Sequence, residues 1–236
     1  MLSAVIIAKD EADRIEAAVR SVAFADEVLV VDSGSADATV ARAEAAGARV
    51  VQTDWPGFVA QKNRAWALAR GEWVLSIDAD EAVSAELQTA IRAAVASPAA
   101  EGFEVKRKTR WLGHDLAHGF AFPDPRVRLA RKDRARWEGI DPHDHLVVAG
   151  SVAPLQGILH HDPYRSFEEH LRTIDRYTAL DARRGSWLDV LARPPWHFIR
   201  GYLLKGGFRD GWPGLAFAAL GATYTFTKWS RGHWDP

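Results

Sequence analysis

Three acidic residues directly follow an apolar run, as Trp73 to Ile77 leads into Asp78, Asp80 and Glu81. Asp78 and Asp80 would point to the same side of the chain if the extended backbone continued through them. Two like charges this close are unfavourable unless a cation lies between them. Mg²⁺ prefers oxygen ligands and is commonly held by one or two carboxylates together with substrate phosphates. The run predicts a metal and diphosphate site; an acidic surface turn before a helix is the alternative.

Two earlier apolar runs also end in polar residues. Asp10 and Glu11 follow the first run, where a carboxylate could meet a nucleotide base or ribose. Acidic residues also open helices, because they complement the helix dipole. Asp32 ends the second run and could accept a base N–H, while Gly34 would let a ligand approach the backbone closely. The serines that flank Gly34 are equally typical of turns and helix caps.

Further polar groups lie downstream of these runs. The tetrad Gln61-Lys62-Asn63-Arg64 falls in a predicted helix, where its cations could face a phosphate or simply cover an exposed helical face. Adjacent imidazoles at His160 and His161 could complete a metal shell, although a histidine in such a place is often structural. The sequence leaves open which of the two would bind the metal.

Besides a metal site that holds the diphosphate, a group transfer from a diphosphate needs a carboxylate that deprotonates the accepting hydroxyl. The segment from Trp137 to His145 offers three candidates. Asp144 is the preferred base, Asp141 and Glu138 compete with it, and a polar loop without catalytic function is the remaining interpretation.

The elements that position these residues alternate along the chain. Strands are predicted at 3–8, 27–32, 49–53 and 73–77, with helices at 14–22, 38–46 and 58–69 between them. This alternation predicts an α/β fold in which a parallel sheet carries helices on both faces and binds ligands beyond the carboxyl ends of its strands. A helix at 84–96, a strand at 102–107 and a helix at 166–182 follow.

Composition limits the class of protein. The chain has 236 residues, of which 47% are hydrophobic and 26% charged, so we expect an ordered globular protein. The absence of cysteine excludes disulfides and thiolate chemistry. The acidic turn soon after the start predicts a first strand rather than a signal peptide, and hence a cytoplasmic protein. A net charge of -1 argues against nucleic-acid binding, despite an Arg- and Lys-rich stretch from 107 to 136.

The last fifth of the chain combines aromatic and basic residues. Its longest uncharged run, 211–227, is interrupted by Pro213 and is too short to span a bilayer, and Arg193-Pro194-Pro195 predicts a break before it. The pattern suits docking on the surface of the inner membrane leaflet. Helices that cover the catalytic core or form a dimer contact fit equally well.

Taken together, these residues resemble those of family-two glycosyltransferases with the GT-A fold, and more closely those of the lipopolysaccharide-core β-glucosyltransferase branch. The resemblance spans nearly the whole chain, and its motifs keep their order and spacing. They are 7–11, 31–35 with Asp37 and Thr39, 61–63, 78–81, 118–119, 123–124, 128–129, Trp137, His161 with Tyr164, and Tyr177.

The resemblance implies a GT-A type, Rossmann-like and mostly parallel α/β sheet flanked by helices, with a C-terminal helical extension that could associate with a membrane. It divides the chain into a catalytic domain, 1–185, and an extension, 186–236; residues 1–97 would bind the nucleotide sugar and 98–185 the acceptor. Asp80 and His161 would bind Mg²⁺ or Mn²⁺, and Asp144 would be the base. The nucleotide-sugar site would comprise Ala8, Asp10, Glu11, Asp32, Gly34, Gln61, Lys62, Asn63, Asp78, Ala79 and Arg128, with Arg126 as an alternative to Arg128.

The implied activity is inverting transfer of a hexose, expected to be glucose, from a UDP-sugar to a lipopolysaccharide-core or lipid-linked glycan. Nucleotidyl transfer is disfavoured because the segment after the first strand lacks glycine. A catalytically silent nucleotide-sugar-binding or scaffold subunit is the alternative, since Pro142-His143-Asp144 stands where the family usually has Val-His-Glu.

Overall fold

The computed structural model describes residues 1–141 and 143–234, which form two compact units. The first unit contains Met1–Arg107 and Pro125–His161, and the second contains Lys108–Asp124 and Asp162–Pro236. The strands are β1 (Leu2–Ala8), β2 (Glu27–Asp32), β3 (Arg49–Gln52), β4 (Trp73–Asp78), β5 (Glu81–Val83), β6 (Gly102–Trp111), β7 (His114–Asp115), β8 (Asp124–Arg131), β9 (Ala135–Ile140), β10 (His143–Val148) and β11 (Val152–His161). The α-helices are α1 (Ile15–Ser21), α2 (Thr39–Ala45), α3 (Phe58–Leu68), α4 (Ala85–Ala96), α5 (Phe167–Leu180), α6 (Trp187–Phe198) and α7 (Gly211–Trp234).

The main sheet has the strand order β3-β2-β1-β4-β8-β6-β11-β5. Strand β1 pairs in parallel with β2 and with β4, and β2 pairs in parallel with β3. Antiparallel pairs join β4 to β8 and β5 to β11, and β9 and β10 form a separate hairpin. The α/β fold class expected from the sequence is confirmed, as are its first four strands, with ends that differ by at most one residue.

The two faces of the sheet bury alternate residues of β1. Ala4 and Ile6 belong to a hydrophobic cluster that includes Ile15 of α1 and Leu87 of α4. Val5 belongs to a second cluster, which includes Ala65 and Trp66 of α3. Because successive side chains of a strand point to opposite faces, this apolar run is covered by helices on both sides.

The second unit is mainly helical. Its core contains Trp111, Ile174 of α5 and Leu220 of α7, and α6 packs on α7. The predicted break at Arg193-Pro194-Pro195 is wrong, because α6 continues through both prolines and leads into a π-helix at Ile199–Leu204. The φ of proline is compatible with a helix, and the packing of α6 on α7 offsets the missing N–H donors.

Pro213 does not interrupt α7 either, because it lies in the first turn, where a helix N–H has no acceptor within the helix. Within the described ranges, no helix is both long and apolar enough to cross a membrane. The functional boundaries expected at 97 and 185 differ from the limits of the two compact units and stay predictions.

Burial makes His170 of α5 sensitive to pH. Its ring stacks on Tyr164, with 3.8 Å between centroids, and its Nδ1 accepts a hydrogen bond of 3.0 Å from Nε1 of Trp111. Burial lowers the pKa of His170 to about 4. The unfolded chain, with an ordinary histidine pKa, therefore binds more protons than the folded chain between about pH 4 and 6.5.

We expect the wild type to lose about 2 kcal/mol more stability than His170→Gln when the pH falls from 7 to 4.5, because folding must keep His170 neutral. The sign follows from the lowered pKa of His170. The contribution of the neutral ring to stability is complete above the pKa that His170 has in the unfolded chain, and it is lost as the pH falls from there toward the pKa of the folded chain. Thermal unfolding at both pH values measures this as a difference of roughly 4 to 8 °C between the two proteins. Parallel pH dependences in the two proteins would contradict the assignment.

Candidate active site

The parallel pairing brings the carboxyl ends of β1, β2 and β4 to one edge of the sheet. Ala8 at the end of β1 lies beside Asp32 of β2, and Ile7 lies beside Asp78 of β4. The carboxyl edge of the sheet therefore carries the first residues of the predicted nucleotide-sugar site, as the alternation of elements indicated.

The segments after β1 and β2 are hydrogen-bonded to each other. The backbone N–H of Asp10 donates to Oγ of Ser35 at 2.9 Å, and the N–H of Ala36 donates to Oδ1 of Asp10 at 2.8 Å. Asp10 adopts a positive φ of 55°, which aspartate tolerates better than most residues. Asp32 is fully buried, and its Oδ2 accepts the N–H groups of Gly34 and Ser35, both at 3.0 Å.

Gly34 also has a positive φ, 80°, and a Cβ built on it would meet no atom within 4 Å. The open space beside its backbone is consistent with close approach of a ligand. The carboxylate of Asp32 shapes this turn, a function that the sequence interpretation gave only to the serines. Binding of a nucleoside by Asp32 stays a prediction.

Two more residues of the same motif attach it to the start of α1, and the sequence interpretation gave them no function. Oδ2 of Asp37 accepts the N–H of Ala12 at 3.1 Å, and Oγ1 of Thr39 accepts the N–H of Glu11 at 2.8 Å. The side chain of Glu11 pairs with Arg14 at 2.6 Å. The spacing of Asp37 and Thr39 after Asp32 was the available signal, because both types bind backbone N–H groups readily.

The consecutive residues Gln61, Lys62 and Asn63 of α3 have three different sets of partners. Nε2 of Gln61 donates to Oγ of Ser33 at 2.9 Å and to Oγ1 of Thr53 at 2.8 Å. Asn63 exchanges two hydrogen bonds with the backbone of Trp137 on β9, at 2.9 and 3.0 Å. Gln61 and Asn63 thus fix α3 to the sheet and to the hairpin, and their contact with a donor stays a prediction.

Lys62 is the third member and joins the two acidic segments. Its Nζ lies 3.0 Å from Oδ1 of Asp78 and 2.7 Å from Oδ2 of Asp144, although the side chain is only 5% exposed. The same Nζ lies 4.5 Å from the centroid of the Trp137 ring. A buried ammonium group is thereby compensated by two carboxylates and an aromatic face.

Arg128 of β8 supports Asp78 from the other side. Its Nη2 lies 2.9 Å from Oδ2 of Asp78 and 2.7 Å from Oε1 of Glu81, whose side chain is fully buried. Glu81 also accepts a hydrogen bond from the backbone N–H of Asp78 at 2.9 Å and pairs with Arg107 at 3.2 Å. Nε of Arg128 is buried and has no hydrogen-bond partner in the described part of the chain.

These neighbours determine the charge of the cluster. Burial would raise the pKa of Asp78, but Lys62 and Arg128 outweigh that effect and hold the pKa well below its usual range. Burial would also raise the pKa of Asp80, and the adjacent His161 lowers it instead. Burial would lower the pKa of Arg128, whereas Glu81 and Asp78 raise it. These two aspartates and the arginine are therefore charged at neutral pH.

The two aspartates of the D-x-D sequence have different partners. The condition for a shared direction, an extended backbone through both residues, is not met, because β4 ends at Asp78 and a turn at Ala79 and Asp80 precedes β5. The chain itself supplies the cations that compensate Asp78, so a metal between Asp78 and Asp80 is not required. Asp80 instead faces His161, with 3.5 Å between Oδ2 and Nε2.

Asp80 and His161 are the residues that fit a divalent cation. Within residues 1–141 and 143–234, no three His, Asp or Glu side chains gather into a metal-binding group. The pair would therefore clamp a cation from one side, and a diphosphate and water would supply the other ligands. His160, the alternative ligand, is exposed on β11, whereas His161 faces Asp80.

The hairpin separates the three candidate bases. Asp141 accepts the N–H groups of Phe58 and Val59, at 2.9 and 3.1 Å, so it caps α3. Glu138 pairs with the exposed Arg136. Asp144 is the candidate that shares Lys62 with Asp78.

The Arg- and Lys-rich stretch has several separate partners. Arg107 and Arg128 bind Glu81, Arg131 binds Glu72 and Glu101, and Nζ of Lys132 donates to two backbone carbonyls. In the first unit, these cations are distributed over distinct carboxylates and carbonyls. The sequence could not predict this pairing, because the partners are distant along the chain.

Open α/β sheets bind their ligands beyond the carboxyl ends of the strands, and that edge holds the carboxylate cluster of this protein, with the Asp80–His161 pair beside it. Residues 3–137 match the model of glycosyl transferase family 2. The chain belongs to this family and is a glycosyltransferase, as its sequence motifs predicted.

Two relatives match almost the whole chain. An uncharacterised glycosyltransferase of Rickettsia conorii (strain ATCC VR-613 / Malish 7) is 52% identical over 98% of this chain and 89% of its own length. The lipopolysaccharide core biosynthesis glycosyltransferase LpsC of Rhizobium meliloti (strain 1021) is 29% identical over 95% of this chain and 89% of its own. Among solved structures, glucosyl-3-phosphoglycerate synthase from Mycobacterium tuberculosis, in complex with Mn²⁺, UDP and glucosyl-3-phosphoglycerate, is 28% identical, with a TM-score of 0.38 over 47% of this chain and 44% of that one.

Proposed function

We propose that the protein transfers a hexose, expected to be glucose, from a UDP-sugar to a lipopolysaccharide-core or other envelope glycan, with inversion at the anomeric carbon and with Mg²⁺ or Mn²⁺. The observation that carries the proposal is the link from Asp78, at the carboxyl edge of the sheet, through Lys62 to Asp144. This link supports Asp144 as a base that acts beside the predicted donor site. The similarity to LpsC supports a glycan acceptor.

In this proposal, each group has one task. Lys62 donates to Oδ2 of Asp144, and Oδ1 of Asp144 would accept the proton of the acceptor hydroxyl. Arg128 and Lys62 hold Asp78 in place beside the donor. Asp80 and His161 would hold the cation, which supplies positive charge opposite the departing diphosphate. A direct displacement on an α-linked donor would give a β-linked product, so a product that retains the donor configuration would contradict it.

We further propose that the enzyme acts in the cytoplasm, at the inner face of the inner membrane. In this proposal the enzyme takes the UDP-sugar from the cytoplasm, and the lipid-linked acceptor lies at the inner face of the membrane. The basic and aromatic composition of residues 187–234 supports membrane proximity.

UDP-glucose with Mn²⁺ should raise the unfolding midpoint by roughly 5 to 10 °C at 100 times its dissociation constant, because such binding stabilises the folded state by about 2.7 kcal/mol. The shift should vanish with EDTA and in Asp80→Asn. Differential scanning calorimetry with UDP and with UDP-glucose measures it.

Asp133→Asn is the matched control, because Asp133 is a largely exposed carboxylate paired with Arg134. That variant should keep the full shift. A well-folded wild type that no nucleotide stabilises would contradict the donor assignment. Binding without any sugar transfer or donor hydrolysis would favour the silent scaffold subunit.

A further inference from the structure

The second unit exposes an unusual number of large apolar side chains. Trp187, Leu191 and Ile199 are spaced by four and eight residues, so they lie on one side of α6 and its continuation. Trp187 and Leu191 are 59% and 61% exposed. Val190, which is buried, lies on the other side of α6, and Pro194, seven residues after Trp187, lies at the edge between the stripe and the packed side. The exposed stripe is therefore a second apolar side of a helix that is already packed.

A groove between α6 and α7 extends this stripe. Pro194 and Pro195 of α6 line it together with Ala222, Thr223 and Phe226 of α7. Phe226 is 49% exposed. We call the stripe and the groove together the C-terminal apolar surface. Contiguous apolar surface of this kind on a folded protein usually marks an interaction site.

The charges around this surface are predominantly positive. Residues 183–234 contain eight Lys and Arg residues but two Asp residues. Asp210 binds His118. Four of the eight cations have carboxylate partners in the unit: Arg193 pairs with Asp189, Arg183 and Lys228 pair with Asp181, and Arg231 pairs with Asp175. The excess positive charge therefore comes from the other four, which include Arg200 and Lys205. Arg200 and Lys205 are exposed and follow the stripe along the chain, with their cationic groups 5.7 and 5.0 Å from the centroid of the Phe120 ring.

We propose that the C-terminal apolar surface docks on an anionic phospholipid bilayer, with α6 lying in the interface and Arg200 and Lys205, which follow α6, contacting lipid phosphates. The surface combines exposed tryptophan and leucine with flanking cations, which is the combination that interfacial helices use. A second copy of the chain would bring an equally positive rim against the first across a two-fold interface, so charge complementarity favours lipid. Docking would hold the enzyme beside a lipid-linked acceptor. The biological purpose of docking therefore rests on the proposed function.

Vesicle co-sedimentation of the full-length protein tests the proposal. The wild type should bind vesicles of phosphatidylcholine and phosphatidylglycerol at 3:1, and bind them more weakly in 0.5 M NaCl or when phosphatidylglycerol is omitted. Leu191→Ser with Ile199→Ser should weaken binding at least roughly tenfold, because two apolar side chains no longer enter the interface. Arg200→Gln with Lys205→Gln should weaken it roughly 20-fold on anionic vesicles, because each cation near such a surface contributes about 1 kcal/mol.

The matched control replaces two exposed apolar residues of the first unit, Ile140→Ser with Val152→Ser, and should bind vesicles like the wild type. Wild-type protein that ignores anionic vesicles at low salt would overturn the proposal. A dimer would also overturn the proposal under two conditions. The Leu191 and Ile199 substitutions would have to dissociate the dimer that light scattering detects without lipid, and the wild type would have to bind no vesicles. If a variant fails to fold, the salt and lipid dependence of the wild type still decides.

The two proposals fail separately. Vesicle binding needs no nucleotide sugar, and the thermal shift with UDP-glucose needs no lipid. Loss of vesicle binding with an intact thermal shift would refute docking alone. Vesicle binding by a protein that no nucleotide stabilises would refute the donor assignment alone.

Discussion

Asp144→Asn should lower kcat roughly 10²- to 10⁴-fold, because an amide cannot take the proton of the acceptor hydroxyl. The substitution keeps the size of the side chain and leaves Asp80 and His161 untouched. The thermal shift with UDP-glucose and Mn²⁺ should therefore remain. Turnover is measured as UDP released from UDP-glucose in the presence of a glycan acceptor.

The neighbouring carboxylates of the hairpin are the controls. Asp141→Asn should keep kcat within a few-fold of the wild type, because both oxygens of Asp141 are occupied by the N–H groups of α3. Its effect should fall on stability, because an amide has one acceptor oxygen for those two N–H groups. Glu138→Gln removes an exposed ion pair with Arg136 and should also be nearly silent. If Asp144→Asn kept more than a tenth of the wild-type kcat, another group would have to be the base. A large loss in Asp141→Asn but not in Asp144→Asn would transfer the assignment to Asp141.

Lys62→Met should destabilise the protein by about 3 kcal/mol, which lowers the unfolding midpoint by roughly 6 to 12 °C. Methionine resembles the lysine stem in length, but it leaves Asp78 and Asp144 without the cation between them. Removing one partner of a buried ion pair costs several kcal/mol, because the remaining charge is neither hydrated nor paired. Arg128 still contacts Asp78, and Asp78 is 26% exposed, so the effect should lie at the lower end of that range.

A double-mutant cycle identifies the cause of this loss. Adding Asp144→Asn to Lys62→Met should restore part of the lost stability, because one uncompensated charge is removed. Lys132→Met is the matched control, since Nζ of Lys132 donates to the carbonyls of Ala67 and Ala69 rather than to a carboxylate. It should cost less than Lys62→Met. A Lys62→Met protein as stable as the wild type would show that the ion pairs contribute no net stability.

Much of the fold follows from local pattern. The bounds of β2 and the start of β4 agree with the sequence prediction, because an apolar run of strand length bounded by polar residues is a short-range signal. Once the elements alternate, parallel pairing and the carboxyl-edge location of Asp32 and Asp78 follow from topology. The family also follows from the sequence, since its motifs depend on residue type and order.

Local pattern misled where tertiary contacts decided the conformation. The two prolines of α6 predicted a break in the chain, yet the helix continues through them because it packs on α7. Asp78 and Asp80 would share a direction on an extended backbone, yet the turn at Ala79 and Asp80 directs them to different partners. Helix and turn signals are propensities, and packing overrides them.

The sequence by itself determined which residue types could do chemistry and at which edge of the sheet the first of them would lie. It could name Lys62, Asp78 and Asp144 separately, but it could not join them, because Lys62 and Asp144 are 82 positions apart. Only the tertiary structure decided that one buried ammonium group would hold both carboxylates, that Asp141 would cap α3 instead, and that Glu81 would anchor Arg128. Charges distant in sequence find their partners through the packing of the elements that carry them, and low solvent exposure then makes each pairing obligatory.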